Sequence, residues 1–186
     1  MVISPKILEK NSLRYRYIAY HKPKGVSTDV QKDSKSILSE LPALRGLSPL
    51  GRLDKESHGL ILLTNDGRLT DRLLNPSRQH EKEYFVRIDK PVTDTFIRHI
   101  ERGIFIEGYK TKPAKARRAG ETIFYITLTE GKKHQIRRMC ASEGCQVLEL
   151  NRVRVMNIKL GDLKEGAYRD LTKDELSTLF KNVQLS

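Results

Sequence analysis

Six consecutive residues, Gly59-Leu60-Ile61-Leu62-Leu63-Thr64, are apolar or β-branched and end at Asn65-Asp66-Gly67. A short apolar run closed by a turn signal reads as a strand buried on both faces, so the chain must build layers around it. The residues just before it are of the opposite kind. Arg52, Asp54, Lys55, Glu56 and His58 place charge on a loop that feeds directly into the core. A carboxylate anchored against a buried strand is held rigidly, as reactive groups usually are, although a charged turn before a strand is the commoner reading of such a pattern.

The rest of the chain alternates helical and strand patterns. Arg14–Tyr20 reads as a strand ending in the turn His21-Lys22-Pro23-Lys24-Gly25. Ser34–Leu41 reads as a short helix with Ser34 as N-cap and Pro42 as its stop. Arg68–Asn75 reads as a helix with Leu69, Leu73 and Leu74 inward and Arg68 and Arg72 on one side, broken by Pro76 and followed by a polar loop over 77–80. Glu81–Ile88, Lys112–Arg118, Thr122–Thr129 and Val147–Asn157 read as strands, the last carrying Arg152 and Arg154 on one side. Helices are predicted over Thr93–Arg102, with Gly103 at its C-terminal position, over His134–Glu143, closed by Gly144, and over Thr172–Lys181, where Thr172 and Glu175 form a capping box. Many strands joined by hairpin-like turns with interspersed helices indicate an α+β fold with a largely antiparallel sheet. Residues 1–13 read as an arm without a period, residues 14–186 as the domain proper, and 108–120 as the one plausible hinge between two halves.

The 186 residues carry 35 Lys and Arg against 23 Asp and Glu, a formal charge of +12. An excess of this size points to a polyanionic partner. No long apolar segment or broad-faced basic amphipathic helix argues for a membrane instead. The first ten residues lack the continuous apolar core segment of a signal peptide, so a cytoplasmic location is expected. Cys140 and Cys145 cannot build a metal site by themselves and read as small buried hydrophobes in a reducing compartment. Between Lys110 and Arg138 there are nine Lys or Arg and two Glu, which favours a stretch that follows nucleic-acid phosphates over an even surface scatter.

Three motifs together resemble the pseudouridine synthases, and specifically the RsuA-type branch that modifies ribosomal RNA. Gly51-Arg52-Leu53-Asp54, with Ser57-x-Gly59-Leu60 and Leu63-Thr64-Asn65-x-Gly67, is similar to the active-site motif of that family. Lys22-Pro23-x-Gly25 precedes it, as is typical there. Lys82-x-Tyr84 resembles the second motif, and Glu130-Gly131-x-x-His134-Gln135-Ile136-Arg137-Arg138-Met139 the third. The resemblance runs from about Tyr17 to Phe180 and implies a mixed central sheet whose two halves flank a cleft.

By that resemblance Asp54 is the nucleophile, Tyr84 lies under the target base with a role in proton removal, and Arg137 pairs with the catalytic Asp. Arg138 is the rival, about 100° away around the helix; the motif, not the spacing, selects Arg137. A nucleophilic carboxylate must stay ionised, and an adjacent guanidinium favours that form. The target uridine must leave its stack at a cost of a few kcal/mol, and Arg52 is the candidate to fill the vacated space. Lys22, Lys82, Lys132, Lys133, His134, Gln135, Arg138 and Arg152 complete the expected RNA-binding set. The isomerisation is redox-neutral, and the chain has no dinucleotide fingerprint, P-loop or cluster of metal ligands, so no cofactor and no metal are expected.

Many RsuA-type enzymes begin with a small S4-type RNA-binding domain, for which this chain leaves no room. It is therefore expected either to bind RNA through the catalytic domain alone, as a monomer, or to be truncated. The runs His80–Tyr84 and Arg154–Asn157 look most like members acting on 23S ribosomal RNA or the assembling particle; 16S RNA and a tRNA anticodon arm stay open. A non-catalytic RNA-binding assembly factor on the same fold is the competing class.

Overall fold

The computed structural model describes residues 15–29, 35–75 and 79–185. The expected arm over 1–13, the strand's first residue Arg14, the cap at Ser34, the helix stop at Pro76 and the first part of the polar loop lie outside these residues. The chain divides into two compact units, residues 1–78 with 156–186 and residues 79–155. The stretch 108–120, expected as a hinge, falls inside the second unit.

In the first unit β1 (Tyr17–Lys22) lies between β3 (His58–Thr64) and β11 (Tyr168–Asp170), and the two-residue β2 (Ser48–Pro49) adds to β3. All of these pairings are antiparallel. The apolar run behaves as its composition dictates: every residue of β3 after His58 is buried, as is all of β1. Ile18, Tyr20, Ile61 and Leu63 pack with Val26, Ile37, Leu44 and Leu47. Burying each such aliphatic side chain contributes about 1.5–3 kcal/mol. Gly59 enters β3 with φ 114°, a conformation only glycine adopts without strain. Among the described residues this unit carries the α-helices α1 (Ile37–Glu40), α2 (Gly67–Leu74) and α5 (Lys173–Val183). The helix α1 is shorter than the expected 34–41 and starts from Ser36, whose N–H bonds the Ser39 hydroxyl at 2.9 Å. The Thr172–Glu175 capping box of α5 forms as expected, at 3.2 Å and 2.9 Å.

In the second unit the strand order is β9 (Val147–Val155), β4 (Lys82–Ile88), β8 (Ile123–Leu128), β7 (Lys115–Arg118), again antiparallel throughout. A small hairpin, β5 (Phe105–Ile106) with β6 (Tyr109–Lys110), stands beside it. The helices α3 (Asp94–Arg102) and α4 (Gln135–Ser142) supply Phe96, Ile100, Ile136, Met139 and Cys140 to a core with Val86, Ile88, Phe124, Ile126 and Leu150. Thr93 caps α3 by accepting from Phe96 N–H at 3.1 Å. The fold is thus α+β with a largely antiparallel sheet, as expected. Among the described residues no helix is long and apolar enough to cross a membrane.

Candidate functional site

Asp54 sits in the loop between β2 and β3, partly exposed, between the exposed Arg52 and Lys55. The loop is pinned on both sides. Thr28 Oγ1 accepts from Leu53 N–H at 3.1 Å and donates to Leu53 O at 2.7 Å. Gly25 N–H donates to Lys55 O at 2.8 Å, and Ser57 N–H closes a turn onto Asp54 O at 3.0 Å. Leu53 itself is buried in the core. The backbone bearing the carboxylate is therefore held by a residue, Thr28, that pattern reading did not single out; its contact spans 25 positions and leaves no periodic trace.

Arg52 reaches outward, with 77% of its side chain exposed and a guanidinium nitrogen 3.7 Å from Asp29. A cavity of ≈ 480 Å³ opens beside it, lined by residues that include Thr28, Asp29, Leu38, Leu47 and Leu74. Lys22 is placed differently from a phosphate-binding lysine. It has no exposed surface, and its ammonium donates to Pro23 O at 2.8 Å and Val26 O at 2.7 Å. A buried charge requires such partners, and these fix the turn that leads to Gly25. The arginines of α2 likewise have intramolecular employment. Arg68 grips Asp66 with two bonds of 2.9 Å, and Arg72 donates to Val183 O at 3.2 Å.

In the second unit Tyr84 lies half-buried on β4, opposite Arg152 of β9 and Ile126 of β8. The β4–β9 register shifts between Glu83 and Tyr84. A bulge of this kind re-aims the side chains that follow it. Just before it Glu83 takes Arg154 Nε at 2.9 Å, and Arg154 also donates to Glu81 at 3.1 Å. Lys82 is half-buried; burial, reinforced by the Arg152 charge, holds its ammonium below the usual lysine range. Arg152 is 2% exposed. A half-buried lysine beside a buried arginine forms a locus where an anion is favoured.

The third motif closes around Glu130. Its Oε1 accepts from Gln135 Nε2 at 2.7 Å, Lys112 N–H at 2.9 Å and Tyr109 Oη at 3.0 Å. Burial, with that bond to Glu130, raises the Tyr109 phenol to about 12. Gln135 is buried and its own oxygen accepts Lys132 N–H at 3.0 Å, so it shapes the loop rather than presenting a side chain outward. His134, in the left-handed region at φ 53°, turns the chain into α4. Arg137 is partly exposed and donates to Val147 O at 3.3 Å; Arg138 instead pairs with Glu107 at 2.8 Å. Lys110, Lys112, Lys115, Arg117, Arg118, Lys132, Lys133 and His134 are all exposed, so the basic stretch is a solvent-facing one. Cys140, by contrast, is sealed in the core, where burial pushes its thiol up to about 12.

The family model for RNA pseudouridylate synthase matches residues 16–142, a span that holds the pinned Asp54 loop, Tyr84 and Arg137. The chain belongs to the RNA pseudouridylate synthase family. Members of known sequence align along most of it. The dual-specificity RNA pseudouridine synthase RluF of Salmonella typhi is 45% identical over 90% of this chain and 58% of its own length. The ribosomal small subunit pseudouridine synthase A of Escherichia coli K12 is 37% identical over 88% of this chain and 74% of its own. A solved pseudouridylate synthase superposes with a TM-score of 0.84 at 33% identity, covering 89% of this chain and 74% of that one. The chain spans less than two thirds of the length of the RluF relatives it matches.

Proposed function

We propose that the chain isomerises one uridine of a ribosomal RNA to pseudouridine, with Asp54 as the nucleophile. The observation that carries this reading is the Asp54 loop: a family-motif carboxylate, partly exposed, on a backbone clamped by Thr28 and by Gly25. In this reading Asp54 attacks the nucleoside or steadies the ribosyl cation while the N1–C1′ bond breaks. The uracil turns, C5 bonds to C1′, C5 loses its proton and N1 gains one. Atoms and electrons balance within the nucleoside, so neither cofactor nor metal is required.

Arg137 supplies the counter-charge to Asp54, and Tyr84 lies against the base and assists removal of the C5 proton. Arg52 occupies the space the flipped nucleotide leaves, a role its planar guanidinium and exposure suit. The exposed cations from Lys110 to Lys133 follow the phosphates. Lys22, Gln135 and, through its pairing with Glu107, Arg138 serve more to shape the loops than to grip RNA.

Large-subunit 23S RNA is the favoured target, on the likeness of His80–Tyr84 and Arg154–Asn157 to members acting there. The relative named for the ribosomal small subunit keeps 16S RNA as the second reading. The enzyme acts as a cytoplasmic monomer. Incubation with 23S, 16S and tRNA transcripts, followed by mapping of pseudouridine, tests the proposal. One new pseudouridine in 23S RNA is expected. Tight RNA binding without any pseudouridine would make the chain an assembly factor instead.

A further inference from the structure

The pairing of β1 with β3 sets His21 opposite Leu60. His58 lies two residues before Leu60, so it shares a face of the sheet with His21. The two imidazoles lie nearly parallel, their centroids 5.9 Å apart and their planes at 14°. The segment 163–167 folds over this corner. His21 N–H donates to Ala167 O at 3.0 Å and Gly166 N–H to His21 O at 2.9 Å. That brings in Glu165, whose Oε1 accepts Lys24 N–H at 3.3 Å. Donor atoms of His21, His58 and Glu165 all lie within 4.8 Å of one another.

The hydrogen bonding of His21 decides what it can do there. Its Nδ1 is 2.8 Å from Leu163 O, and a carbonyl oxygen can only accept, so Nδ1 carries a hydrogen. In the neutral ring the lone pair is then on Nε2. His21 is 9% exposed, and its Nε2 is buried without a hydrogen-bond partner. Such an atom is costly to keep unless a ligand completes it. A backbone carbonyl that holds one ring nitrogen leaves the other free to bind a metal, as in the histidines of metal sites.

We propose that His21, His58 and Glu165 form a binding site for one divalent transition-metal ion, with zinc(II) the best fit. Two imidazoles and a carboxylate suit zinc, which takes nitrogen and oxygen donors and leaves a fourth position to water. Calcium and magnesium favour all-oxygen shells, and without thiolate donors copper(I) is disfavoured. Tetrahedral zinc at bond lengths of about 2.1 Å separates its donors by about 3.4 Å, so the set needs to close by roughly 1.4 Å at most, which the exposed Glu165 side chain can supply. The ion would tie the end of β1, the start of β3 and the 163–167 segment together. His58 follows Asp54 by four residues, so the tie lies at the foot of the Asp54 loop.

The test uses tag-free protein stripped with EDTA. Zinc(II) is titrated in competition with a chromophoric chelator, cobalt(II) replaces it to read the coordination spectrum, and melting is followed with and without zinc. Wild-type protein and Cys145→Ser are expected to take one equivalent and to melt at higher temperature with it. Glu165→Gln, an exposed position that leaves the core intact, and His58→Gln are each expected to bind at least about tenfold more weakly and to lose the melting shift. Wild-type protein that takes no stoichiometric metal, or variants that bind as tightly as wild type, would overturn the proposal. None of these readouts depends on isomerase activity, so this proposal and the functional one fail separately.

Discussion

Asp66 Oδ2 accepts the phenolic hydrogen of Tyr17 at 2.6 Å, across 49 positions of sequence, in a fully buried setting. The same carboxylate caps α2 through Arg68 N–H at 3.1 Å and receives the Arg68 side chain. Burial works to raise the Asp66 carboxyl, but the bonds from Arg68 and Tyr17 outweigh it and hold the group below the usual carboxylate range. Burial and Asp66 together push the Tyr17 phenol up.

This relationship predicts a pH-dependent stability. A carboxylate with a depressed folded pKa contributes stability that is present above the unfolded value, about 3.9, and lost as pH falls through the folded one. Asp66→Asn is expected to cost about 1–3 kcal/mol at pH 7 by weakening the charged bonds. The gap from wild type should narrow as pH drops below about 4. Urea unfolding at a series of pH values measures it; a gap that stays constant with pH would show that the charge is not what matters.

Gly103 ends α3 at φ +81°, and a Cβ there would lie 2.3 Å from Thr111 O. Gly103→Ala is expected to cost about 1–3 kcal/mol from backbone strain alone, and more as Thr111 is displaced. Gly67 has a negative φ and open space around it, so Gly67→Ala in α2 should be neutral or stabilising by up to about 1 kcal/mol. Thermal unfolding separates the two; equal effects would contradict the assigned backbone conformation.

Much of this fold was legible in the sequence because the signals were local. The run Gly59–Thr64, the Thr172–Glu175 capping box and Gly103 at the end of its helix act through neighbours a few residues away, and all appear as expected. What escaped depends on pairings that only the folded chain makes. Asp66 read as a turn residue, because nothing in Asn65-Asp66-Gly67 announces Tyr17. Thr28 carried no pattern, and His21 with His58 became neighbours only through the β1–β3 register. Lys22 and Gln135 were read as RNA contacts from their motif positions, but their side chains are buried and bonded to loop atoms. The short strands β2, β6, β10 (Ile158–Lys159) and β11 are held by their partners rather than by their own composition and were not anticipated.

The motif assigns Arg137, not Arg138, to catalysis, and the two differ in surroundings. Arg138 is occupied by Glu107 at 2.8 Å, whereas Arg137 donates to the Val147 carbonyl at 3.3 Å. Arg137→Ala is expected to lower turnover about 10²-fold or more, as loss of an electrostatic stabiliser does. Arg138→Ala should leave it within about threefold, in keeping with an exposed ion pair of small worth. Single-turnover rates on the target RNA decide; the reverse order would move the catalytic role to Arg138.

The most direct measurement is tritium release from RNA labelled at uridine C5, since joining C5 to C1′ expels that hydrogen. Asp54→Asn keeps the shape of the loop while removing the charge. Wild-type protein is expected to release tritium stoichiometrically with the target site. The variant should release none above background, with its melting temperature and RNA affinity close to wild type. Release by Asp54→Asn at the wild-type rate would contradict the assignment of Asp54 as nucleophile.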